Sequence, residues 1–194
     1  MTFKERRYVE EFGYGAFRHR EKNEMLIVDT DVFGPGCLPG NADGRHFTLV
    51  TPDGDTHACY SVWDAMAAWL SHMLSCKIHA DNENIQAATK KFLAKAPENE
   101  QILLDMVRFI TTNYLNKKCA WGHKPIEDLL ETNDAKLVID LTGRLEDPYW
   151  GTVQGPDGSA VGRNMFGKIL ERVRSSARPG YTTIAAACHG CTII

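Results

Sequence analysis

An acidic side chain and an indole stand close together in Asp147-Pro148-Tyr149-Trp150-Gly151. A carboxylate beside an indole suits cleavage of a glycosidic bond. The transition state of that cleavage has oxocarbenium character, so a nearby anion stabilises it. The carboxylate can also orient or deprotonate the attacking water. An indole face can hold a base or a ribose by stacking. The plainer reading of the same residues is an Asp-Pro turn with two aromatic residues folded into the core.

A second candidate follows in Gly162-Arg163-Asn164-Met165-Phe166-Gly167-Lys168. It fits the phosphate-loop spacing G-x-x-x-x-G-K, but the Ser or Thr that would hold Mg²⁺ is replaced by Ile169. No convincing strand precedes it directly, so an NTPase is rejected. A glycine-flanked loop entering a helix still points backbone N–H groups outward, and the helix start adds partial positive charge. With the whole charges of Arg163 and Lys168, this is a seat for a phosphate. The plainer alternative is that Asn164 caps the helix and Gly167 permits close packing.

Taken in order, three blocks resemble the NADAR family. They are Leu129-Leu130-Glu131-Thr132-Asn133-Asp134-Ala135-Lys136-Leu137-Val138, then Asp147 to Gly151, then Gly162 to Leu170 with Val173-Arg174. The family pattern is an L-L-x-T-x-D-x-x-L-V run, D-x-[FY]-W-G, and G-x-N-x-x-G-K-x-L with a final hydrophobic-Arg. The resemblance implies a small intracellular α+β enzyme that hydrolyses N-glycosidic bonds without a metal or other cofactor. Some members act on phosphorylated ribosylamino intermediates of riboflavin synthesis, and others remove ADP-ribose from modified guanine bases. Carried over residue by residue, Asp147 and Trp150 form the active centre. Tyr149, Gly151, Gly162, Arg163, Asn164, Gly167 and Lys168 frame the substrate.

Upstream the sequence departs from that family. A Ser-Val-Glu-His block, whose Glu is understood as catalytic, has its counterpart here in Ser61-Val62-Trp63-Asp64. Either Asp64 takes over the carboxylate role from the next position, or the role is lost and the domain only binds its ligand. Neighbouring helix positions differ by about 100° of rotation, so the substitution is not automatic. Asp64 also has a capping-box explanation, and Trp63 can instead stack a base. The expected activity is hydrolysis of an N-glycosidic bond in a phosphoribosyl or ADP-ribosyl compound. The alternatives are a non-catalytic nucleotide-binding module and an NAD glycohydrolase. The expected partner is that small molecule, including an ADP-ribosylated nucleobase, with no membrane and no obligatory protein partner.

These residues need elements to hold them. Met25 to Val28 and Phe47 to Val50 are β-type runs, and Pro52-Asp53-Gly54 turns the second toward Thr56 to Tyr60. The stretch 61–132 reads as helical. Ser61 caps a helix over 62–74, Asp81 caps a second through about residue 95, and Pro97-Glu98-Asn99 opens a third. In that third helix Ile102, Met106, Phe109 and Ile110 form an apolar stripe. A short helix follows Pro125 with Ile126, Leu129 and Leu130 inward, and residues 135–141 form the best strand. A long loop over 142–163, with five glycines, reaches a helix that starts near Asn164 and turns Phe166, Leu170 and Val173 inward. The expectation is a single α+β domain over 1–178, mostly helical with a few short strands, and a tail over 179–194.

Composition bounds the class. Over 194 residues the net charge is -3, from 22 basic and 25 acidic side chains, which argues against non-specific nucleic-acid binding. Apolar residues at 43% and charged residues at 24% exclude disorder as the dominant state. No apolar run reaches the roughly 18 residues that span a bilayer. The charged opening Met1-Thr2-Phe3-Lys4-Glu5-Arg6-Arg7 predicts no secretory signal. The six cysteines then read as reduced thiols in the cytoplasm. Cys188-His189-Gly190-Cys191 lacks the second ligand pair of a structural zinc, and Cys191 to Ile194 fits a prenylation box without upstream basic residues. The seven histidines form no metal-binding spacing. Trp69 and Met73 have core spacing, Trp121-Gly122-His123 sits at a helix junction, and Arg18-His19-Arg20 reads as a solvated turn.

Overall fold

In a computed structural model, residues 18–22, 25–29, 47–117, 124–139, 141, 147–157, 159–178 and 190–193 are described. The chain divides into two compact units, Met1–Asp31 with Pro125–Thr182, and Val32–Lys124 with Thr183–Ile194. Along the chain, the larger segment of the second unit, 32–124, interrupts the first, and its smaller segment, 183–194, follows it; the second is called the inserted unit. The described residues form a mixed α+β structure in which helix predominates.

In the first unit, β1 (Arg18–Lys22) and β2 (Met25–Asp29) form an antiparallel hairpin with Arg18 opposite Asp29. β2 then pairs in parallel with β5 (Lys136–Ile139), Met25 opposite Lys136 and Val28 opposite Ile139. A parallel pair needs a crossover, and here the crossover carries the inserted unit. The strand at Arg18–Lys22 corrects the expectation of a solvated turn. It lies at the sheet's edge, where charged residues are favoured and apolar alternation is not required.

After α4 (Pro125–Glu131) and β5, the expected loop contains a short antiparallel ribbon of β6 (Val153–Gln154) and β7 (Ala160–Val161). Helix α5 (Met165–Ala177) follows and packs on β5 and α4. Phe166, Leu170 and Val173 are buried as their spacing predicts, and Ile169 joins them. At the helix's far end buried Arg174 donates from Nη1 to Thr132 Oγ1 (2.6 Å) and from Nη2 to the Ala135 carbonyl (2.8 Å). Thr132 in turn donates its hydroxyl to the Leu129 carbonyl at 2.6 Å. Burial draws the Arg174 pKa below its ordinary value, against the opposing charge of Glu171.

In the inserted unit, β3 (Phe47–Val50) lies between β4 (Thr56–Cys59) and β8 (Thr192–Ile193), antiparallel to both. Phe47 and Leu49 alternate into the core. The Pro52-Asp53-Gly54 turn is closed by Gly54 N–H donating to the Thr51 carbonyl at 2.9 Å, with Gly54 at φ 89°. Helices α1 (Val62–Leu74), α2 (Asn82–Leu93) and α3 (Asn99–Asn116) pack on one another. Asp81 caps α2 by accepting from Asn84 N–H at 2.9 Å. Trp69 meets Phe92 edge-on at 5.1 Å, and Phe47 meets Tyr114 at 6.0 Å. In α3, Met106 and Ile110 are buried while Ile102 and Phe109 are only half-buried. The tail contributes β8, whose Thr192 and Ile193 face Val50 and Leu49. Cys37, Cys119, Cys188 and Trp121-Gly122-His123 lie outside the described residues. Among the described residues no helix is long and apolar enough to cross a membrane.

Candidate functional site

The turn at 147–151 and the start of α5 are locked together by backbone. Pro148 O accepts from Arg163 N–H (2.5 Å) and Gly151 O from Asn164 N–H (3.1 Å). Tyr149 O accepts from Met165 N–H (3.1 Å) and Trp150 O from Phe166 N–H (2.8 Å). Four successive amides therefore meet the carbonyls of one turn. This corrects part of the expected phosphate seat. A helix start leaves its first amides without intrahelical partners, and here neighbouring carbonyls satisfy two of them. The charge available to an anion at this end comes from the exposed Arg163 and Lys168 side chains instead.

Asn164 does not cap the helix with its side chain. Its backbone is left-handed, φ 52° and ψ 46°, a region Asn tolerates better than most residues. Its carboxamide reaches β5: Nδ2 donates to the Leu137 carbonyl (2.7 Å) and Oδ1 accepts from Ile139 N–H (3.0 Å). The side chain thus acts as one peptide unit of a missing neighbouring strand. Glu171 Oε1 accepts from Leu137 N–H (2.8 Å), and Thr152 N–H donates to the Ile139 carbonyl (2.8 Å). Together they satisfy the edge of β5 that faces away from β2.

The glycines follow from the same crowding. A Cβ at Gly167 would stand 2.3 Å from both the Leu137 carbonyl oxygen and Asn164 Nδ2. A Cβ at Gly162, where φ is 149°, would stand 2.3 Å from the Gly151 carbonyl oxygen. One at Gly151 would meet Leu141 Cγ at 2.6 Å. Each glycine marks a place where two backbones touch.

Asp147 and Trp150 are both buried. Asp147 Oδ1 accepts from Tyr149 N–H at 2.9 Å, and its carbonyl accepts from Gly151 N–H at 3.1 Å, so its local geometry is that of an Asx turn. The Trp150 indole stacks on Phe166 at 4.6 Å with an 18° interplanar angle. Tyr149, half-buried, meets Trp150 edge-on at 4.9 Å and carries the Arg163 guanidinium 5.0 Å over its ring. The solvent-facing part of this region is accordingly Tyr149, Arg163 and Lys168, with Asp147 in the turn behind them.

Compared with family models, curated proteins and solved structures, the chain matches none.

Trp63 and Asp64 belong to the inserted unit. Trp63 is 1% exposed and packs in that unit's core, which corrects the expected stacking surface. Asp64 serves the start of α1 in a variant of the capping box, its carboxylate reaching the amide one residue before the cap. Its N–H donates to Ser61 Oγ (3.1 Å), and its Oδ2 accepts from Tyr60 N–H (2.9 Å). Asp64→Ala is expected to lower stability by about 1 kcal/mol in urea denaturation, and Asp64→Asn by less. A loss below a few tenths would show that the cap contributes nothing.

A feature of the inserted unit had no sequence signal. His72 Nδ1 and Asp53 Oδ2 lie 3.0 Å apart, although the residues are 19 apart in the chain. Thr51 Oγ1 donates to Asp53 Oδ1 at 2.5 Å. The Thr51 hydrogen bond and then the His72 bond hold the Asp53 carboxyl below its ordinary pKa. Nearby, burial pushes the Cys59 thiol up to about 12, with the Asp64 charge adding to it, so Cys59 is not a nucleophile at neutral pH.

Proposed function

We propose that the chain hydrolyses the N-glycosidic bond of a phosphoribosyl or ADP-ribosyl compound, in the manner that the resemblance of its motif blocks to the NADAR family implies. The observation that carries this reading is the gathering of the three blocks on β5 and α5, which puts a carboxylate, an aromatic ring and a cation in and over one turn. In this reading Asp147 stabilises the sugar cation or positions water through Oδ2, since Oδ1 holds Tyr149 N–H. Arg163 and Lys168 carry the phosphate by side-chain charge. Tyr149 holds the leaving base, and Trp150 is the wall behind it. Exposed Cys76 and buried Cys59, both thiols outside any disulfide, fit a reducing compartment such as the cytoplasm.

The test is incubation with ADP-ribosylated guanosine, the phosphorylated ribosylamino intermediate and NAD, with released base followed by chromatography. Base is expected from one of the first two. Asp147→Asn preserves an acceptor for Tyr149 N–H and is expected to lower kcat by about 100-fold or more. No release from any of the three by folded protein would overturn the enzyme reading, and nicotinamide from NAD would redirect it to a glycohydrolase.

A second reading, capture of an ADP-ribosyl ligand without turnover, is favoured by one observation. The position of the family's catalytic Glu is the buried Trp63, and the adjacent Asp64 is held in a helix cap. Saturable ADP-ribose binding without release of base distinguishes it.

A further inference from the structure

The inserted unit contains a groove of about 940 Å³ between the β3–β4 turn, the flank of α1 and the segment after that helix. Three small apolar residues, Ala58, Ala67 and Ala68, are among its lining. Its rim carries the His72–Asp53 pair. A carboxylate only accepts hydrogen bonds, so the proton between them sits on Nδ1. In a neutral imidazole the other nitrogen, Nε2, is then an acceptor. Among the described residues the His72 imidazole makes no hydrogen bond besides the one to Asp53. Asp55, exposed on the same turn, adds a second acceptor to the groove. Asp53 and Asp64 add negative charge, opposed by Lys77 alone among fully charged side chains lining it.

A ligand for such a groove must donate hydrogen bonds and carry positive charge. The alanine side chains offer contact to methylenes, which an organic cation carries and a bare metal ion does not. We propose that this groove is a binding site for a small aliphatic amine, whose ammonium donates to His72 Nε2 and pairs with Asp55 while its methylenes lie against the alanine side chains. The imidazole is fixed by Asp53, and Asp53 by the buried Thr51, so the acceptor is pre-oriented. The site does not depend on the proposed glycosidase chemistry, which uses residues of the other unit.

The experiment titrates the full chain with butane-1,4-diamine at pH 8, following the His72 ring protons by NMR, with butane-1,4-diol as the uncharged comparison. A saturable 1:1 shift of His72 is expected with the diamine and none with the diol. His72→Gln is expected to weaken binding about tenfold, as loss of a charge-assisted hydrogen bond does. Asp55→Asn, on an exposed turn residue that leaves the fold unaffected, is expected to weaken it by about threefold to tenfold. Asp147→Asn leaves the affinity unchanged, which separates this result from the glycosidase test. Equal shifts with diol and diamine, unsaturable shifts spread over all surface carboxylates, or full affinity in both groove variants would overturn the proposal.

Discussion

Gly167→Ala is expected to lower the free energy of unfolding by about 3 kcal/mol. The added methyl would stand 2.3 Å from the Leu137 carbonyl oxygen and 2.3 Å from Asn164 Nδ2. Neither atom can yield cheaply. The carbonyl belongs to β5, whose other edge pairs with β2. The carboxamide is bonded to that same carbonyl and to Ile139 N–H. Relief means moving α5 off β5, which breaks two buried hydrogen bonds and opens the interface beneath Phe166 and Leu170. Against this stands only the better helix propensity of alanine, worth about 1 kcal/mol. Arg172→Ala, on the exposed side of the same helix, is the control and is expected to change stability by less than about 0.5 kcal/mol. Urea denaturation of both variants decides it. A Gly167→Ala protein as stable as the parent would mean that the helix and strand are not held at this distance.

The parts of the fold that the sequence reveals are those with local signals. Ser61 with Asp64, and Asp81, announce helix starts because the capping hydrogen bonds span only three residues. The Pro52-Asp53-Gly54 turn is legible because Gly54 needs a positive φ. By contrast β6, β7 and β8 have two residues each, and β1 is charged at most positions, so two-residue periodicity has nothing to act on. The pairing of β2 with β5 joins residues more than a hundred positions apart and has no local signature.

The same division applies to chemistry. The pattern G-x-N-x-x-G-K can be spelled by a phosphate loop or by a helix packed hard against a strand. Spacing records only that glycine and a carboxamide are needed. It does not record that the Asn164 carboxamide points at Leu137 and Ile139 and not at the helix's own amides. Whether backbone N–H groups are open depends on where a separate turn, 147–151, places its carbonyls. The Asp53–His72 pair is illegible for a related reason. The sequence marks Asp53 only as a turn residue and His72 only as a helix residue, and only the return of the chain from β3 through β4 to the end of α1 brings them together.

Trp150→Ala is expected to lower stability by about 3 to 5 kcal/mol, the cost of removing a fully buried indole. The indole stacks on Phe166 and supports the Tyr149 ring from the side, so its loss leaves a cavity between the turn and α5. Trp150→Phe retains part of that stack and is expected to lose less. Tyr149→Ala removes a half-buried ring and one edge contact, and is expected to lose about 1 kcal/mol. The ordering separates two roles that the motif D-x-Y-W-G leaves merged. If the indole is wall and the phenol is contact, Trp150→Phe binds an ADP-ribosyl ligand nearly as well as the parent, while Tyr149→Ala binds it about tenfold less well. If the indole itself faces the ligand, Trp150→Ala denatures near the parent's urea midpoint and loses binding outright. That pair of results would mean the ring is not core, and the assignment of ligand contact to Tyr149 and Arg163 would fall with it.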